Sequence, residues 1–139
     1  MNDSEKVFFD TAPFIYLIEN HPEFFEKTET FILELATNFA SFHTSVITET
    51  EFSIQPIKLD KSELIDDYEQ MLVEMEFKVY DIDIPIAKRA AHLRVKYNLK
   101  TVDALQVATA LEHKCTIFLT NDIPLKRVTE INVVVVSEF

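Results

Sequence analysis

A chain of 139 residues, 47% of them hydrophobic, can bury a substantial core and is too apolar to be a linker or a disordered tail. Glycine is absent altogether, which excludes the Gly-rich phosphate loops of dinucleotide-binding folds and P-loops. A formal net charge of −11 argues against nucleic-acid affinity spread over the whole surface.

No run approaches the ~20 consecutive apolar residues of a membrane span. Residues 1–6 are polar and acidic where a signal peptide would be basic and then apolar. The single cysteine, Cys115, has no partner for an internal disulfide and sits in an apolar run, as a buried small hydrophobe does. One globular domain over residues 1–139, in the cytoplasm, is the expectation.

In chain order, residues 6–10 read Lys-Val-Phe-Phe-Asp, a short apolar strand closed by a carboxylate. A helix follows at once, with Pro13 in its first turn, and Asn20-His21-Pro22 stops it. The spacing of Phe24, Phe25, Phe31, Ile32, Leu35 and Phe39 predicts a second helix. Residues 41–47 read as a strand, and 48–55 as a short helix ended by Pro56, because a residue before proline avoids helical backbone. Residues 60–76 form the clearest helical pattern, with Asp60 and Glu63 as a capping pair. A short strand over 77–82 precedes a helix opened by Pro85, whose outer face carries Lys88, Arg89, Arg94 and Lys96. A helix over 101–113 has Thr101 as its cap and Asp103 in its first turn. A strand over 115–120 leads into Thr120-Asn121-Asp122, and the β-branched run 131–136 reads as a last strand buried on both faces. The alternation predicts a three-layer α/β/α fold with a mostly parallel sheet of four to five strands.

In such sheets ligands bind beyond the carboxyl ends of the strands, where Asp10 and Asp122 would sit. Neighbouring carboxylates raise one another's pKa unless cations neutralise them. Oxygen-only donors suit Mg²⁺ or Mn²⁺, and two such ions roughly 3.5–4 Å apart can drive phosphodiester hydrolysis. Asp10, Glu51, Asp103 and Asp122 offer such a donor set. Each also has a plain structural reading: Asp10 as a helix cap, Asp103 as a complement to the helix dipole, Asp122 as a turn residue before Pro124, and Glu51 as one of 24 acids. The histidines His21, His43, His92 and His113 lack zinc-site spacing and read as surface or helix-end residues. The phenylalanines fall mostly at helical core positions and read as packing.

The words around these acids carry more than the acids do. Val7-Phe-Phe-Asp-Thr-Ala-Pro-Phe-Ile-Tyr-Leu-Ile-Glu19 resembles the opening of PIN domains, in which a hydrophobic strand ends in an Asp that binds metal. Thr44-Ser-Val-Ile-Thr-Glu-Thr-Glu51 is similar to that family's second motif, and on that pattern the ligand is Glu51, not Glu49. Leu99-Lys-Thr-Val-Asp-Ala-Leu-Gln-Val-Ala-Thr-Ala-Leu111 resembles its most specific helix, and Phe118-Leu-Thr-Asn-Asp122 its closing signature. The resemblance spans almost the whole chain and points to the VapC-toxin-like branch. Ala12 departs from the pattern where many members have a small polar residue, and Lys114-Cys115 where a glycine often precedes the strand.

The resemblance implies a Mg²⁺- or Mn²⁺-dependent endoribonuclease. Its metal ligands and catalytic residues would be Asp10, Glu51, Asp103 and Asp122, with Thr120 orienting a water or a carboxylate. It also implies RNA as substrate, an antitoxin protein as partner, and a homodimer. Residues 1–83 hold 19 acids against 5 bases, and residues 84–139 hold 5 acids against 8 bases. The basic face of the helix after Pro85, together with Lys126 and Arg127, could therefore carry RNA phosphates, or be a solvated charged face. The rival reading from another class is a PIN fold that no longer cuts and serves as a binding or scaffold module.

Overall fold

The computed structural model describes residues 4–139. Five strands, β1 (Lys6–Phe9), β2 (Ser41–Ser45), β3 (Lys78–Tyr80), β4 (Ile117–Thr120) and β5 (Asn132–Val135), form one sheet in the order β3-β2-β1-β4-β5. Every pairing is parallel, with Val7 level with both Phe42 and Ile117. Six helices flank it: α1 (Thr11–Ile18), α2 (Phe25–Thr37), α3 (Val46–Lys58), α4 (Ser62–Glu74), α5 (Ile84–Tyr97) and α6 (Thr101–Glu112). No helix among the described residues is long and apolar enough to cross a membrane.

Side-chain alternation along β1 and β4 creates the three layers. Val7, Phe9, Ile117 and Leu119 point into a cluster with Phe14, Ile32, Phe52 and Tyr68, beneath α1 to α4. Phe8 and Phe118 point the other way, stacked with ring centroids 5.4 Å apart, into a cluster with Ile86, Leu93, Ala104 and Val107 beneath α5 and α6. Most of the phenylalanines are packing residues, as expected, but Phe39, just past the end of α2, is exposed.

The absence of glycine has a backbone consequence. Asn20, Phe39, Asp60, Glu76, Asn98 and Lys114 all take positive φ, between 50° and 63°. Each ends a helix, and the next residue's amide bonds back to a carbonyl of the last turn, as Cys115 N–H does to Ala110 O at 2.8 Å. Asp60 therefore closes α3 rather than capping the next helix, which starts at Ser62 with no side-chain cap. Thr101 likewise lies inside α6 while Lys100 occupies the cap.

Three other expectations are corrected. Helix α3 runs through Pro56, whose buried ring forfeits only one backbone donor near the helix end. His43 is not at the surface: it lies fully buried in β2, hydrogen-bonded to Ser41 Oγ (2.7 Å) and Tyr80 OH (2.8 Å). Strand β5 is an edge strand, with Asn132 exposed and Val133 and Val134 only partly buried. Cys115 is a free, buried thiol, as expected.

Candidate functional site

The chain passes from β1 to β2 on one side of the sheet and later to β4 on the other side of β1, so the topology switches between β1 and β4. A crevice opens at the carboxyl ends of strands at such a point. Asp10 is the first residue beyond β1, and Asp122 stands two residues beyond β4.

Asp10 does cap α1, through a 2.9 Å bond from Thr11 N–H to Oδ1. Its other oxygen is also engaged, accepting from the buried Thr120 hydroxyl at 2.8 Å. The cap reading is thus correct and incomplete, because the carboxylate is held at both oxygens. Asn121 fixes the segment after β4: its amide donates to Tyr16 OH (2.7 Å) and accepts from Ser137 N–H (2.8 Å). The Asp122 amide in turn donates to Thr120 Oγ1 at 3.1 Å.

Glu51 comes from the second turn of α3 and Asp103 from the first turn of α6. Glu51 accepts a 2.6 Å hydrogen bond from the Thr11 hydroxyl, whereas Glu49 is pushed up by burial and by the charge of Glu69 of α4. One turn before Glu51 on α3 is Thr48, and one turn after Asp103 on α6 is Gln106. Residues three apart share a helix face. Gln106 Nε2 donates to Thr48 Oγ1 at 2.9 Å, and its Oε1 accepts from Ser45 Oγ at 2.5 Å. Thr48 also meets Thr44, whose hydroxyl donates to Phe9 O at 2.9 Å. This fully buried network locks α3, α6 and the ends of β1 and β2 together directly beneath the acids.

The four carboxylates form one electrostatic group. Burial pushes the Asp10 carboxyl up to about 6 from 3.8, against the lowering hydrogen bonds from Thr120 and Thr11, and Asp103 and Glu51 push it further. Burial likewise raises Asp103, reinforced by the charges of Asp122 and Glu51 and by a hydrogen bond shared with the Asp122 carboxyl, while Lys100 works the other way. None of the four joins an ion pair among the described residues, where the pairs are Arg89–Glu112, Lys96–Glu130 and Lys126–Glu138. Three of the basic side chains proposed for phosphates are therefore already matched with acids.

An all-carboxylate donor set short of positive charge is what a hard divalent ion fits. Among the described residues no three of the acidic, histidine or cysteine groups are drawn in closely enough to surround one ion, so the fit is one of donor chemistry and charge. Thr11 and Gln106 escaped the sequence reading. The Asp-Thr step after β1 was visible, but which carboxylate Thr11 would meet, 40 residues away, was not.

Comparison with known proteins agrees with this architecture. The crystal structure of VapBC2 from Rickettsia felis, bound to a DNA fragment from their promoter, superposes with a TM-score of 0.72 at 19% identity, over 92% of this chain and 96% of that one. A toxin–antitoxin complex from Klebsiella pneumoniae gives 0.68 at 25% identity, over 93% and 96%. PAE2754 from Pyrobaculum aerophilum gives 0.60 at 13% identity, over 96% and 92%. Comparison with curated protein sequences gives no match. The PIN domain profile matches residues 7–131, from the first strand to the threshold of the last. A match of that extent, laid over a sheet of the same fold, means that the chain belongs to the PIN domain family.

Proposed function

We propose that this protein is a divalent-metal-dependent endoribonuclease, the toxin of a toxin–antitoxin pair. The observation that carries the reading is the placement of Asp10 and Asp122 beyond the carboxyl ends of β1 and β4 at the switch point of the sheet, with Thr120 holding Asp10 and Thr11 holding Glu51; burial pushes Asp10 up to about 6. Perturbed carboxyls gathered in a crevice mark a functional site more often than a structural one.

Asp10, Glu51, Asp103 and Asp122 would hold Mg²⁺ or Mn²⁺. An ion of this kind supplies an acidified water for attack on phosphorus and positive charge against the leaving oxygen. Thr120 aims Asp10, Thr11 aims Glu51, and the Gln106 network keeps α3 and α6 at fixed separation. Ligand-orienting hydrogen bonds of this sort are typically worth 10- to 100-fold in metal affinity or activity.

The Klebsiella pneumoniae complex, at 25% identity, supports a protein antitoxin as partner. Exposed apolar side chains such as Leu33, Phe39, Ile57 and Val73 are available for that contact and for a homodimer. The test is incubation of the purified, partner-free protein with a mixed-sequence RNA pool in Mn²⁺ or EDTA. Cutting in Mn²⁺ alone supports the enzyme; no cutting in either favours a binding or scaffold module.

A further inference from the structure

Beside the carboxylates lies a second feature with its own chemistry, a cavity of about 250 Å³ between the α5–α6 turn and the 3-10 turn Ile123–Arg127. Asp103 and Asp122 form one wall, Lys100 and Arg127 contribute cationic groups, and Pro124 and the buried Leu125 supply apolar surface. It is smaller than the ~300–1,000 Å³ pockets that enclose drug-sized ligands. One phosphate with its sugar is a better match for it than a whole cofactor.

Of the eight bases in the C-terminal half, Lys100 and Arg127 line this cavity. Arg89, Lys96 and Lys126 are bound to carboxylates, while Lys88, Lys114 and Arg94, the last turned onto the Leu99 carbonyl, lie outside it. Lys100 makes no ion pair among the described residues, and it lies close enough to Asp103 to lower that group's pKa. Arg127 has no carboxylate partner among them either. Its Nη1 donates to the carbonyls of Tyr97 (3.2 Å) and Asn98 (3.4 Å), two neutral acceptors that fix the guanidinium without discharging it. Asn98 can present its carbonyl there because it ends α5 in the left-handed region, at φ 55° and ψ 52°.

We propose that this cavity is the subsite for the nucleotide next to the scissile phosphodiester, with Lys100 and Arg127 gripping its phosphate and Pro124 packing against its sugar. The assignment rests on the nuclease reading above. It explains how a chain of net charge −11 takes hold of RNA: two cations that make no ion pair among the described residues stand at the lip of the site. An extended single strand fits this layout, since one phosphate can meet the carboxylate centre while its neighbour meets Lys100 and Arg127.

The test uses a short, labelled single-stranded RNA. Binding is followed by fluorescence anisotropy in Ca²⁺ and cleavage in Mn²⁺, each across a salt series, for the wild-type protein, Lys100→Gln, Lys100→Arg, Arg127→Gln and Lys58→Gln. Lys100→Gln and Arg127→Gln should weaken binding on the order of threefold to tenfold at low salt, and each should flatten the log–log salt slope by about 0.7. The same two variants should raise KM with kcat within about twofold, as loss of uniform binding does. Lys100→Arg should restore both readouts. Lys58→Gln, at an exposed base outside the cavity, should change neither. Lys100 is exposed and makes no ion pair, so its replacement leaves the fold intact; Arg127→Gln is accepted only if its melting temperature matches wild type. Wild-type cutting with unchanged affinity, slope and KM in Lys100→Gln overturns the subsite alone. An equal effect in Lys58→Gln also overturns it, by making the attraction generic. Absence of any cutting by the wild-type protein overturns the nuclease reading and the subsite together.

Discussion

The Thr11 hydroxyl donates a 2.6 Å hydrogen bond to Oε1 of Glu51, joining the residue after the first acid of the site to the second acid across 40 positions of chain. Glu51 is otherwise an exposed side chain on α3. Thr11→Val keeps the shape and the buried methyl but removes the donor. It should cut metal-dependent activity on the order of 10- to 100-fold while leaving the melting temperature of the metal-free protein nearly unchanged. Thr11→Ser should retain most of the activity. Steady-state cleavage rates and thermal melts of the two variants decide this, and equal rates in Thr11→Val and wild type would remove Thr11 from the site.

Thr120 acts on Asp10 in a direction that pH can read. Its hydroxyl lowers a carboxyl that burial has pushed up to about 6, so losing it sends that pKa higher. Because ionised Asp10 is the form that binds metal, the acid limb of the pH–rate profile should move to higher pH in Thr120→Val, with recovery at the alkaline end. Stability carries the same sign. The folded value lies above the ordinary 3.8, so the folded state holds a proton that the unfolded chain has lost, and stability falls as pH rises from 3.8 to about 6. In Thr120→Val that decline should extend to higher pH. A pH–rate profile with an unmoved acid limb contradicts the assignment.

Much of the geometry of the candidate site is legible in the sequence, for a physical reason. A strand that ends in an acid places the acid at the carboxyl edge of a parallel sheet, and Asp10 and Asp122 stand beyond β1 and β4 as that pattern predicts. The first-turn position of Asp103 and the Thr-x-x-Glu spacing of Thr48 and Glu51 are local features too. What escaped depends on contacts distant in sequence. Gln106 lies in an alanine-rich helix, and nothing local shows that it meets Thr48, 58 residues away. His43 is polar and was placed at the surface, although Ser41 and Tyr80 satisfy both ring nitrogens inside the fold. Pro56 obeyed packing rather than backbone preference.

Gln106 offers a test of the network beneath the acids. Gln106→Met keeps the length and volume of the side chain but takes away the acceptor of the buried Ser45 hydroxyl and one of the two hydrogen bonds of Thr48, which keeps Thr44. An unsatisfied buried polar group costs about 1–3 kcal/mol, so the melting temperature should fall by roughly 5–10 °C. Activity should fall in the folded protein as well, because Glu51 and Asp103 ride on the two helices that the network spaces. A melting temperature within a degree or so of wild type would show that the network contributes little.

The absence of glycine leaves room for improvement. Lys114, at φ 60°, closes α6 in a conformation that costs a non-glycine residue roughly 1 kcal/mol or more. Lys114→Gly relieves that cost, less the extra entropy of the unfolded chain. It should raise the melting temperature by a few degrees without changing cleavage. A lower melting temperature would mean that the lysine side chain stabilises the turn.

The central claim is that Asp10, Glu51, Asp103 and Asp122 together hold a divalent ion. Titration of Mn²⁺ into metal-free protein near neutral pH, with free ion followed by electron paramagnetic resonance, tests it most directly, using wild type and a folded Asp103→Asn. We expect saturable binding to wild type, and binding at least tenfold weaker to Asp103→Asn, which loses one carboxylate of the set. Equal binding by the two proteins, or none by wild type, would contradict the claim.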